Sequence, residues 1–121
     1  MGNILLVALG GAFGSALRYV FAVMLNGAFP YGTLAVNILG CFAMGLFVGY
    51  GSFSGSVNEQ ARLLLAIGVL GGFTTFSSFS LDVLTMVERG QVTLALGYVG
   101  LSVIVSLFAV FAGVALVKAF A

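Results

Sequence analysis

Apolar residues run along this chain in long blocks, and the few charged residues leave wide gaps between them. No charge occurs between Arg18 and Glu59, between Arg62 and Asp82, or between Arg89 and Lys118. Each gap accommodates the roughly 20 apolar residues that a membrane-spanning helix needs, and the first is long enough for parts of two spans. The pattern predicts four helices over 4–25, 32–50, 62–86 and 92–119. The connections are short: NGAFPY with the only proline, Pro30; GSFSGSVNEQA, rich in Ser and Gly; and ERGQ, containing Gly90. Residues 1–121 therefore read as one four-helix transmembrane domain, with nothing left for a soluble one.

Composition agrees with the pattern. Of 121 residues, 62% are hydrophobic and 6% charged, against roughly 25% charged in a soluble domain. The expected class is an all-α membrane protein. A secretory signal would carry basic residues before its apolar stretch, whereas Arg18 follows the apolar residues here, so the first segment reads as a mature helix. The opening MGNILL has Leu6 where myristoylation requires Ser or Thr. The single cysteine, Cys41, has no disulfide partner and the chain holds no histidine, so it reads as a small packing residue. With no Ser/His/Asp, Cys/His or metal-ligand cluster, an enzyme is not expected.

Four spans place Arg62 and Lys118 on the side of the termini, and Arg18 and Arg89 on the other, a count of two against two. Because an excess of Lys and Arg near span ends fixes orientation, a tie predicts insertion both ways and invites an antiparallel homodimer. Four helices also leave little room for an enclosed polar pathway inside one subunit, which favours a pathway at a subunit interface. Gly10 with Gly14, and Gly45 with Gly49, recur four apart, the spacing that lets helices approach closely in lipid.

Polar side chains at membrane depth cost free energy unless partnered, so each is informative. The string GGFTTFSSFS packs Gly71, Gly72, Thr74, Thr75, Ser77, Ser78 and Ser80 into ten positions of the third helix. These are poor helix formers joined to side chains that bond backbone, and they predict a break near 72–75. Open backbone there would present carbonyl oxygens able to hold a small cation, or would be a glycine kink satisfied by Ser and Thr. Phe76 and Phe79 share a face beyond the break. Such a pair is ordinarily lipid-facing or core, but ring edges are positive and can favour an anion without supplying a charge. Asn37 is the lone amide in the second helix, either a helix-to-helix bond or a two-proton donor. Tyr98, Ser102 and Ser106 recur at i, i+4 and i+8, which gives either a hydroxyl ladder along a pathway or serines bonded to their own helix carbonyls. Arg18 either snorkels to the interface, attracts anions to a pathway mouth, or braces helix ends. Asp82 and Glu88 lie toward the end of the third helix and Glu59 before it, which weakens a proton-coupled pump.

The strings GGAFGSALRY, GTLAVNILGCFAMG and GVLGGFTTFSSFSLD together closely resemble the Fluc, or CrcB-like, bacterial fluoride channel family. The resemblance covers essentially the full chain, and the string in the third helix is its most specific part. It implies an antiparallel dual-topology homodimer in the bacterial inner membrane, with two fluoride pathways each built from both subunits and a structural sodium ion at the dimer centre. Phe76 and Phe79 would turn ring edges to the ion, with Asn37 as the amide donor beside them and Ser77 and Ser78 in the same segment. Ser106, Ser102 and Tyr98 would extend the polar track, and Thr33 and Arg18 would belong to the entrance. Backbone carbonyls of Gly71 and Thr74, two from each chain, would bind sodium. Where the family often reads TTFSTF, Ser78 keeps the hydroxyl and loses a methyl.

Fluoride surrenders hydration reluctantly and needs close N–H and O–H donors, while a fixed positive charge would hold it too tightly to release. The expected function is therefore passive fluoride export, with no nucleotide, organic cofactor or nucleic-acid partner. A small dual-topology multidrug exporter would need a membrane-buried Glu in helix one, which is missing. A non-transporting assembly subunit would leave Phe76, Phe79 and Asn37 without a purpose.

Overall fold

The structure is a computed structural model that describes residues 1–55 and 57–120. Helix α1 is Gly2–Leu25 and α2 is Tyr31–Ser54; α3, Glu59–Ala61, runs into a π-helical stretch, Arg62–Leu70, and then α4, Gly71–Phe73; α5 is Phe76–Glu88 and α6 is Val92–Phe120. Four stretches, Gly2–Leu25, Tyr31–Ser54, Glu59–Glu88 and Val92–Phe120, are long and apolar enough to cross a membrane. Their bounds fall within a few residues of those expected, α2 extending furthest because it continues to a left-handed Gly55 with φ 68°. That is the αL stop at which glycine carries no Cβ penalty.

Helix α2 packs along α6, and α1 packs along the π-helical stretch and α4. Both contacts are made backbone to backbone. A Cβ on Gly14 would lie 2.8 Å from the Phe73 amide nitrogen and 3.0 Å from the Val69 carbonyl carbon. One on Gly45 would lie 2.9 Å from the Val110 carbonyl carbon and 3.1 Å from Gly113 Cα. The glycine spacing in the sequence thus does what small residues do in lipid.

The buried cluster of Leu34, Phe79, Met86, Ala95 and Tyr98 fills one end of the bundle, where the start of α2, helix α5 and the start of α6 meet. Large apolar side chains remain exposed along the spans, from Leu5, Leu9 and Phe13 on α1 to Phe108 and Phe111 on α6. In lipid such a surface is solvated by hydrocarbon and costs nothing.

Between α4 and α5 the backbone leaves the helix. Thr74 has φ −82° and ψ 156°, and Thr75 has φ −153° and ψ 124°, both extended. Gly71 and Gly72 stay helical, so the irregular backbone is confined to the two threonines and is narrower than the 72–75 expected from sequence.

Candidate functional site

The extended pair is held by its neighbours at nearly every polar atom. The Thr75 amide donates to Asn37 Oδ1 at 2.8 Å, and Asn37 Nδ2 donates back to the Thr75 carbonyl at 3.1 Å. Asn37 therefore pairs with the Thr75 backbone as a neighbouring strand would, and one Nδ2 proton is left over. Thr75 Oγ1 accepts from the Ser78 amide at 3.0 Å, the N-cap bond that starts α5. Thr74 Oγ1 donates back to the Leu70 carbonyl at 2.9 Å.

These bonds redirect two helical donors. In a continuous α-helix the Thr75 amide would satisfy the Gly71 carbonyl, and the Ser78 amide would satisfy that of Thr74. Here the first goes to Asn37 and the second to Thr75 Oγ1. Among the described residues no amide from another element replaces them. The Gly71 and Thr74 carbonyls are thus neutral oxygens left without their helical donors, and Gly71 is exposed. One chain supplies two such oxygens.

Arg18 is turned toward the helix interruption. Its Nε donates to the Gly72 carbonyl at 3.0 Å, and its Nη1 lies 3.5 Å from Ser78 Oγ. It braces α4 and α5 from α1 across the interruption, one of the three roles open from sequence. Thr33 is buried at the start of α2, where Asn26 organises the turn. Asn26 Oδ1 accepts from the Gly32 and Thr33 amides at 2.7 and 3.1 Å, and its Nδ2 donates to Thr33 Oγ1 at 3.3 Å.

A groove of about 320 Å³ opens beside the extended threonines. Asn37 and Cys41 of α2, Phe76 and Phe79 of α5, and Ser102 and Ser106 of α6 line it together with Thr74 and Thr75. The two rings sit 5.5 Å apart at 47°; Phe76 is 78% exposed and Phe79 only 8%. Ser80 and Thr85 bond carbonyls four residues back in their own helix, and Thr74 bonds one four residues back in the helical stretch before it. Ser102 and Ser106 do not: their Oγ atoms are buried and lack a hydrogen-bond partner. Buried hydroxyls are nearly always satisfied, so two orphans on one stripe mark a place built for something else.

Tyr98, the third member of that stripe, is fully buried between the rings of Phe29 and Phe79. Its hydroxyl donates to Asp82 Oδ2 at 2.9 Å. Asp82, read from sequence as lying toward the end of the third span, therefore has a buried phenol as its partner. Ser77 is exposed, its Oγ 3.3 Å from Thr75 Oγ1.

Sequence reasoning missed Asn26, which caps α2 from outside the usual N-cap position, and Cys41, which lies in the groove wall rather than merely between helices. For Cys41 a signal was available: it stands four residues after Asn37, on the same helix face.

Four stretches of this length and hydropathy define a small multi-pass membrane protein, and its groove is lined by neutral amide, hydroxyl, thiol and ring groups. The profile of the family described as "CrcB-like protein, Camphor Resistance (CrcB)" matches residues 5–114. A "Fluoride-specific ion channel FluC" of Agrobacterium fabrum is 52% identical over 120 residues, 96% of each chain. Proteins of the same name from Rhizobium etli and a Chelativorans species are each 50% identical, over 95% and 98% of each chain respectively. This chain belongs to the CrcB-like family.

Proposed function

We propose that the chain is a passive, fluoride-selective channel that exports fluoride from the bacterial cytoplasm across the inner membrane. The observation that carries this is the pair of orphaned hydroxyls, Ser102 and Ser106, facing the same groove as the spare Asn37 proton and the Phe76 and Phe79 rings. The names of the relatives supply the ion. Beside the aliphatic Val103 and Leu107, the polar groups and rings on that wall are neutral and can offer a positive hydrogen or ring edge, which binds a small anion closely enough to replace water yet weakly enough to release it. Tyr98 and Thr33 continue the track, Ser77 and Ser78 border it, and Arg18 holds the entrance side of the helix interruption.

The groove is open on one side, and Phe76 projects from the subunit surface. A second, antiparallel copy closes it and completes two pathways. The same symmetry brings two more freed carbonyls to those of Gly71 and Thr74, giving four oxygens for a structural sodium ion. Bound there, the ion neutralises carbonyl dipoles that otherwise face one another across the dimer.

Liposomes holding only the purified protein and loaded with potassium fluoride should release fluoride when potassium is shunted, and chloride-loaded ones should not. Phe76→Ile, which removes one ring edge, should slow fluoride release about tenfold. Equal chloride release, or none of either ion, would rule the channel out. Orientation is tested separately: a C-terminal tag should be accessible from both membrane faces. Gln91→Lys adds a third cation to the side of Arg18 and Arg89 and should bias the population to one orientation. A single orientation in the unmodified chain would refute the antiparallel dimer.

A further inference from the structure

We propose that Cys41 belongs to the anion track, as a weak acceptor on which the Ser106 hydroxyl rests its proton while the site is empty. The inference rests on the channel reading above and adds a residue to it.

The geometry brings the two groups together deliberately. Cys41 stands one helical turn after Asn37 on α2, and Ser106 one turn after Ser102 on α6, and all four line one groove. The thiol shares this wall with the Ser106 hydroxyl, whose Oγ is buried without a hydrogen-bond partner. One turn further along, Gly45 rests against Val110 and Gly113, so the two backbones are at closest approach beside this pair. Ser102, 6% exposed and also without a partner, faces the same space.

A buried hydroxyl proton must point somewhere. A carbonyl or hydroxyl oxygen in the place of sulfur would hold it in a full-strength bond, and an arriving anion would have to break that bond. Sulfur is a weak acceptor, so the proton is kept in the groove wall yet turns to fluoride at little cost. No covalent bond changes; one O–H rotates from sulfur to the ion and back.

This reverses the order expected of a packing residue. Cys41→Ser is nearly isosteric, so packing alone makes it mild and makes Cys41→Ala the more harmful. The proton-resting role makes Cys41→Ser the harmful change: the half-saturating fluoride concentration for liposome efflux should rise roughly threefold to tenfold, the order of one neutral hydrogen bond. Cys41→Ala, which leaves Ser106 with no protein acceptor, should lower it. A second readout uses the unmodified protein. Cys41 is the single cysteine, so its S–H stretching band is unique in the infrared. Fluoride should move that band, equimolar chloride should not, and in Ser106→Ala the fluoride response should vanish. A benign Cys41→Ser beside a damaging Cys41→Ala, substitutions that shift together, or an S–H band indifferent to fluoride would each overturn the proposal. If unmodified protein in the same vesicles passes no fluoride, the channel reading falls and this one with it. If it does pass fluoride and the Cys41 order is that of packing, only this inference falls.

Discussion

Asn37→Asp is expected to lower fluoride efflux by at least about 100-fold while leaving the elution of the purified protein unchanged. The substitution keeps an oxygen for the Thr75 amide, now 2.8 Å from Oδ1, but replaces the donor that meets the Thr75 carbonyl and the groove. A unit negative charge about 4 Å from a transiting anion costs on the order of 4 kcal/mol at an effective dielectric of 20. At about 1.4 kcal/mol per factor of ten, that amounts to two to three orders of magnitude in occupancy of the track. Efflux within tenfold of the unmodified protein would mean that Asn37 serves only as a brace for the Thr75 backbone.

The second large effect concerns assembly. Gly14→Val should prevent recovery of monodisperse protein from detergent, and Gly14→Ala should lower its thermal aggregation midpoint. A side chain at this position meets only backbone, the Phe73 nitrogen and the Val69 carbonyl, so no rotamer change can relieve it and the helices must separate. Overpacking costs about 1–3 kcal/mol where neighbours can shift, and a backbone wall puts the valine at or above that upper figure. The same separation withdraws Arg18 from the Gly72 carbonyl, since both helices carry that bond. Monodisperse Gly14→Val protein with an unchanged midpoint would show that the α1 contact is looser than its geometry.

Charge gaps and apolar runs placed all four spans in the sequence, because hydrocarbon thickness and the cost of buried charge leave few alternatives. Periodicity also put Phe76 with Phe79, and Ser102 with Ser106, on shared helix faces, and the fold turns both faces onto one groove beside Asn37. Contacts between distant segments were not legible. Arg18 and Gly72 are 54 positions apart, and nothing local announces their bond. The Asp82 to Tyr98 bond was hidden because Asp82 reads as a residue near a helix end. The π-helical stretch Arg62–Leu70 was equally hidden: its bonds span five residues instead of four, yet its composition is that of any apolar helix. Where the backbone would leave the helix was legible from the Thr and Ser content. That Gly71 and Gly72 would stay helical was not, because Gly72 is supported from outside by Gly11 of α1 and by Arg18.

The Asn37 to Thr75 pairing also bears on how the subunit moves. Two extended residues between helical segments ordinarily make a hinge, since little resists a change in their dihedrals. Here the N–H and the C=O of Thr75, in two successive peptides, are both tied to α2, the Ser78 amide is tied to Thr75, and Arg18 ties the preceding turn to α1. Bending at the threonines would break several bonds at once in a medium with no water to replace them. The interruption is therefore a weld between the second and third spans, and a displacement of either one is carried to the other instead of being absorbed between them.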